Sequence, residues 1–284
     1  MPTFSCSRRA FAANVFHLKT SSSLPLHALF LGTAAGNTSV SRDHSGILLE
    51  TDGSSILLDC GAVAARHFHA NEFPTETPGA LWLSHMHSDH VGQVGMLIQS
   101  LWLRQRRAPL HVFGPPEVMR VMKDWLERCL LFPELVGFPI EWHAVQPGVA
   151  VTHGPFTLTA FATEHLTSLA NQFRAAYPAT SFDCYGVAID CHGRRYVYSA
   201  DLAHPRELAP ALEQREVTAL ICELSHFPER ELFRDLAKYD VKSLWLTHYP
   251  DTYVGQEKEL QITAREEKFA GAVHLLQDKV ANEI

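Results

Sequence analysis

The sequence predicts an α/β sandwich of four layers: two mixed β-sheets packed face to face, with helices on both outer sides. Two observations carry this. Strand-like runs come in hairpins near the N-terminus and then alternate with helical stretches, the pattern of mixed sheets covered by helices. The 284 residues are 46% hydrophobic and carry no internal repeat, low-complexity stretch or linker, so one large core and one domain over residues 26–284 are expected.

The elements follow in order. Residues 1–25 read as a flexible N-terminal tail. The first 42 residues lack acidic side chains, and Ser7-Arg8-Arg9-Ala10-Phe11 is similar to a twin-arginine export signal. Asn14, His17 and Lys19 interrupt the apolar stretch behind it, however, so no signal is assigned. Residues 26–31, 45–50 and 54–59 are strands, the last two joined by Asp52-Gly53, a strong hairpin signal. Residues 61–70 form a short helix and 80–84 a buried strand. Apolar residues at Val94, Leu97, Ile98, Leu101 and Trp102 repeat with helical period over 91–107. Pro109 ends that helix, and 110–113 is a strand. Gly114-Pro115-Pro116 turns into a helix with proline in its first turn, running to about residue 131. Two strands flank Gly154-Pro155, residues 166–182 are a loop, and 185–190 with 195–199 form a hairpin around His192-Gly193. Residues 205–212, 228–238 and 257–270 are helical, and 219–224 and 241–247 are strands.

Composition narrows the function. The net charge of −7 argues against a protein that coats nucleic acid. The cluster Arg104, Arg106 and Arg107 reads as a solvated helix end. No apolar run is long enough to cross a bilayer. The six cysteines are scattered with no CxxC pair, as in a reduced cytoplasmic protein.

The chemistry is concentrated in Ser84-His85-Met86-His87-Ser88-Asp89-His90. Three imidazoles and a carboxylate within six residues suit Zn²⁺ or a similar divalent ion. A strand leads in and a helix leads out, so the side chains occupy a loop at a sheet edge and can point toward two neighbouring ions. Further donors stand where apolar strands run out: His165 after 156–163, Asp201 after 196–200, and His248 after 244–247.

With these motifs the chain resembles the metallo-β-lactamase-fold hydrolases, and within them the ribonuclease Z-like branch. The segments Phe30-Leu31-Gly32-Thr33 and Leu58-Asp59-Cys60-Gly61, the HxHxDH motif, the run PLHVFGP at 109–115, Tyr185-Gly186, Ser199-Ala200-Asp201 and Leu246-Thr247-His248 fall in that branch's order. The resemblance implies that His85, His87 and His165 hold one metal, that Asp89, His90 and His248 hold the other, and that Asp201 bridges them. It implies two Zn²⁺ ions, or Mn²⁺ or iron. Asp59 would orient a ligand histidine, or is simply a turn residue. Two metals about 3.5–4 Å apart can hold a bridging hydroxide at neutral pH, with Asp89 as one of the carboxylates at the reacting centre. The leaving oxygen then needs a proton. In Ile221-Cys222-Glu223-Leu224-Ser225-His226-Phe227 the branch's usual histidine position is Cys222 while Glu223 matches, so His226 is the candidate acid and Glu223 its partner.

Ribonuclease Z carries a long tRNA-gripping arm between the third histidine and the bridging aspartate. Here His165 and Asp201 are only 36 positions apart. The expected substrate is therefore a small phosphodiester such as a cyclic nucleotide, as for arm-less relatives that include the anti-Pycsar nucleotide phosphodiesterases. The alternatives are tRNA 3′ processing and lactonase, β-lactamase or arylsulfatase chemistry. The loops 34–45 and 166–182 would line the pocket, with Phe173, Tyr177 and Phe182 either stacking a base or packing in the core. A homodimer is expected through Trp102, Leu103, Trp125 and Leu126.

Overall fold

The structure is a computed structural model, and it describes residues 26–284 apart from Asn71 and Gln214. The expected tail and the twin-arginine-like segment lie outside the described residues.

The described residues build two seven-stranded sheets. The first contains β1 (His27–Gly32), β2 (Gly46–Thr51), β3 (Ser54–Leu58), β4 (Ala80–Trp82), β5 (Leu110–Gly114) and β6 (Ile140–Ala144). The second contains β7 (Ala150–His153), β8 (Phe156–Ala162), β9 (Tyr185–Cys191), β10 (Arg194–Tyr198), β11 (Ala219–Glu223), β12 (Ser243–Thr247) and β13 (Ala272–Leu275). The chain then returns as β14 (Val280–Glu283), antiparallel to β1, to complete the first sheet. The strand orders are β14-β1-β2-β3-β4-β5-β6 and β13-β12-β11-β10-β9-β8-β7. In both sheets the pairing is antiparallel on one side and parallel on the other, changing at β3–β4 and at β10–β11. The two halves thus share a sheet plan that leaves no repeat in the sequence.

Three apolar layers explain why the strands read as nearly continuous hydrophobic runs. In β3, Ile56 and Leu58 face between the sheets while Leu57 faces the outer helices. In β12, Trp245 faces inward while Leu244 and Leu246 pack under the opposite helices. Strands covered on both faces need apolar side chains on both. Each fully buried large side chain, such as Phe30, Trp82 or Phe156, contributes roughly 1.5–3 kcal/mol. The expected four-layer sandwich is what the described residues form.

The structure corrects several local expectations. The helix expected over 91–107 is shorter, Val94–Leu103, and a separate turn of helix, Ser88–Val91, precedes it where a loop was expected. They separate because the Gln93 amide donates to Cys60 O and the Cys60 amide to His90 O, which ties this turn to the end of β3. Arg106 is not part of a solvated patch. It is 1% exposed, and its guanidinium donates to the carbonyls of Thr75, Pro78, Ala108 and Pro109. Burial pulls its pKa down to about 10, so it stays charged at neutral pH. The loop expected over 166–182 contains a helix, Thr167–Phe173. β6, β13 and β14 were not evident, being short and in part exposed. Among the described residues no helix is long and apolar enough to cross a membrane.

Candidate metal centre

Four strand ends converge on one side of the sandwich. β4 leads through Leu83 and Ser84 to His85 and His87, and the short helix Ser88–Val91 supplies Asp89 and His90 in its single turn. β8 delivers His165, β10 delivers Asp201 and β12 delivers His248. The chain turns sharply where it leaves β3, β10 and β12. Asp59, Ala200 and His248 take left-handed conformations, with φ of 56°, 52° and 47°, which cost non-glycine residues on the order of 1 kcal/mol or more each. Gly61 is required by close approach: a Cβ there would stand 1.6 Å from the Asp89 carbonyl oxygen.

The seven residues singled out in the sequence form two donor groups that share Asp201. On one side His85 Nε2 and His165 Nε2 lie 3.8 and 3.4 Å from Asp201 Oδ2, and His87 Nδ1 lies 3.3 Å from His165 Nε2. On the other side His90 Nε2 and His248 Nδ1 lie 3.2 and 3.7 Å from Asp201 Oδ1. Asp89 Oδ2 faces His248 Nε2 at 3.1 Å and His90 Nε2 at 3.5 Å. Each carboxylate oxygen of Asp201 therefore looks into a different group.

The surrounding side chains aim the rings. Asp59 is fully buried and accepts from the Ser84 amide and, through Oδ2, from His90 Nδ1, Ser84 Oγ and the Tyr198 hydroxyl at 2.7 Å each. His85 Nδ1 donates to Ser84 Oγ. These bonds hold a proton on Nδ1 of both rings and turn Nε2 toward Asp201. Of the two roles weighed for Asp59, the geometry is that of an orienting carboxylate. Tyr198 and Glu207 carried no sequence signal. Glu207 accepts from the backbone of Glu164 and Ala203 and so ties the His165 loop to the Asp201 loop.

His226 stands at the rim of the centre, its ring 4.6 Å from that of His165 and 5.8 Å from that of His248, centroid to centroid. Its Nδ1 donates to Glu223 Oε1 at 2.8 Å. Glu223 also accepts from the backbone amides of Leu202, Ser225 and His226. Cys222 points the other way, into the core under the outer helices. Strand alternation decides this: neighbours on β11 face opposite layers. Burial alone would lower the pKa of His226, but the Glu223 carboxylate outweighs it and raises it.

Of the two loops expected beside the centre, one is seen to approach it. Gly36 in the loop 34–45 lies beside Asp89, 3.3 Å from Oδ2 to the position of a Cβ. Phe173 and Tyr177 are exposed, whereas Phe182 packs against the inter-sheet core.

Burial and neighbouring histidines hold His85 well below the usual imidazole range, although Asp201 opposes them, and burial takes His165 down to about 4. Asp201 is buried, which would raise its pKa, yet His248 and His90 hold it well below the usual carboxylate range. Burial opposes it, but Asp201 and Asp59 raise His90 well above the usual imidazole range. The centre therefore combines the neutral rings of His85 and His165 with a charged His90 and an ionised Asp201, and a cation binding there would displace the His90 proton. His85 Nε2, His90 Nε2, His248 Nδ1 and Asp201 Oδ1 are buried without a hydrogen-bond partner. Leaving four polar atoms so would cost roughly 1–3 kcal/mol each, and divalent cations satisfy all of them. The donor set fits Zn²⁺, Mn²⁺ or iron.

Comparison with known proteins places the chain in one family and one fold. A family model described as Anti-Pycsar protein Apyc1 matches residues 26–270. A ribonuclease Z of Mycobacterium sp. (strain KMS) is 28% identical over 260 residues, covering 84% of this chain and 90% of that protein. A ribonuclease Z of Myxococcus xanthus is 29% identical over 143 residues, 49% of this chain but only 44% of that protein. The structure of the metallo-β-lactamase fold protein YhfI from Bacillus subtilis superposes with a TM-score of 0.72 at 23% identity, covering 92% of this chain and 100% of that one. The fold is that of the metallo-β-lactamase hydrolases.

Proposed function

The chain belongs to the Anti-Pycsar protein Apyc1 family, and from that membership we propose that this metal-dependent hydrolase is a phosphodiesterase for small phosphodiesters, a cyclic nucleotide foremost. The observation that carries the reading is Asp201, with one oxygen turned to each of two donor groups. Two bound divalent ions would supply a water ionised at neutral pH and neutralise charge on the phosphoryl group. The chain's own residues do the rest. His85, His87 and His165 would hold one ion, Asp89, His90 and His248 the other, and Asp201 both. Ser84 and Asp59, bonded to Nδ1 of His85 and His90, would aim the Nε2 atoms of these rings at the ions. His226, oriented by Glu223, would give the leaving oxygen its proton from Nε2. The short connection between His165 and Asp201 supports a small substrate.

The test is turnover. Protein loaded with Mn²⁺ or Zn²⁺ is expected to hydrolyse cyclic mononucleotides and bis(p-nitrophenyl) phosphate, and chelation is expected to abolish both. No hydrolysis of any phosphodiester by loaded protein would refute the proposal.

A second reading, tRNA 3′ processing, is favoured by the curated relatives named Ribonuclease Z. Cleavage of precursor tRNA more efficient than that of cyclic nucleotides would establish it instead.

His226→Asn separates an acid from a structural histidine. Loss of a general acid lowers the rate about 10²–10⁴-fold, but p-nitrophenolate leaves without a proton. The variant is therefore expected to lose cyclic-nucleotide turnover while hydrolysis of bis(p-nitrophenyl) phosphate falls far less. Equal losses on both substrates would remove His226 from this role.

We also propose a homodimer. Leu103 and Met96 are exposed on the helix Val94–Leu103, whereas Leu126 is buried and Trp102 and Trp125 pack against the core beneath. A light-scattering mass near one chain would contradict it.

A further inference from the structure

A second cluster of donor side chains lies at the open edge of the sandwich, on strands that supply nothing to the centre above. β6 and β7 are the edge strands of the two sheets and follow one another in the chain. Register places His111 opposite Glu141 and Phe113 opposite His143 across β5 and β6. Phe113 belongs to the core between the sheets, so this row of side chains faces inward and ends at the rim. There His111, His143 and Glu141 reach solvent, with 28%, 38% and 46% of their side chains exposed. His153, at the end of β7, brings its ring to 4.7 Å from that of His111, centroid to centroid.

Three atoms converge. His111 Nδ1 lies 3.1 Å from His143 Nε2 and 3.2 Å from Glu141 Oε2, and the latter two are 3.9 Å apart. A tetrahedral ion with bonds of about 2.0–2.1 Å sets its ligand atoms roughly 3.3 Å apart. With both rings neutral, one proton has to serve the two contacts at His111 Nδ1, whereas a single cation satisfies all three donors at once. Burial and the neighbouring rings hold His143 and His153 below the ordinary imidazole range, which favours the neutral, ligating form. Phe113 stacks on His143 with centroids 4.6 Å apart and limits where that ring can turn.

We propose that His111, Glu141 and His143 bind a divalent transition metal such as Zn²⁺, with water as the fourth ligand. Imidazole with one carboxylate selects such ions over Mg²⁺ or Ca²⁺. The ion pins edge strand β6 to β5. The role is structural.

The experiment compares the full-length protein with the double variant His111→Ala, His143→Ala. Both are stripped, loaded with Zn²⁺, dialysed and assayed for bound metal by emission spectroscopy. The wild type is expected to retain about one equivalent more than the variant, whatever number the central site holds. Its thermal midpoint is expected to rise further on Zn²⁺ addition, and hydrolysis of bis(p-nitrophenyl) phosphate to be the same in both. Equal metal contents in the two folded proteins would overturn the proposal. If the double variant does not fold, Glu141→Gln, at a half-exposed position, provides the comparison. It is expected to lose its rim metal to chelator at roughly tenfold or more lower concentration than the wild type, and unchanged retention would overturn the proposal equally.

Discussion

Asp201→Asn is expected to lower kcat/KM for bis(p-nitrophenyl) phosphate by about 10³-fold or more, a loss of ~4 kcal/mol of transition-state stabilisation. Asparagine matches aspartate in shape, so the backbone bonds that place the residue survive, among them Thr163 Oγ1 donating to Asp201 O. What disappears is a negative charge delivered through two oxygens to two groups. One oxygen becomes an NH₂ that can only donate, facing the ring nitrogens of either His85 and His165 or His90 and His248. Bound metal is expected to fall along with the rate. Steady-state kinetics with metal content measured on the same samples checks both. A variant that retains full metal and near-normal turnover would show that Asp201 is not the shared ligand.

Asp59→Ala acts on stability as well as on the site. The substitution strips partners from His90 Nδ1, Ser84 Oγ, the Ser84 amide and the Tyr198 hydroxyl, all buried. Removing one member of such a buried charged network costs about 3–5 kcal/mol. It also frees the His90 ring, and loss of an orienting partner typically weakens metal binding about 10–100-fold. Urea unfolding of stripped protein reads the first effect and zinc titration the second. Asp59→Asn should be milder, because asparagine tolerates the left-handed backbone at this position and keeps one acceptor. A stability change under 1 kcal/mol in the alanine variant would mean that water replaces the lost bonds.

Much of this was legible in the residues. The motif from His85 to His90 shows itself because its donors are close in sequence, and the strands show themselves because burial on both faces makes them continuously apolar. Other features left no trace. β14 is a short, largely exposed strand whose pairing with β1 joins opposite ends of the chain. Arg106 looks like any surface arginine until four carbonyls close around it. Tyr198 reads as one more apolar strand residue, and its bond to Asp59 spans 139 positions.

The sequence by itself determined the layered α/β class, the local donor cluster and the strand-end positions of His165, Asp201 and His248, since periodicity and turn chemistry act over a few residues. Only the tertiary structure decided that those three meet the cluster, that Asp201 divides its oxygens between two groups, and that Glu223, which holds His226, rather than its neighbour Cys222 faces the centre. Sheet order and register bring residues more than a hundred positions apart within a few ångströms, and the alternation of side chains along a strand then selects which of two neighbours points inward.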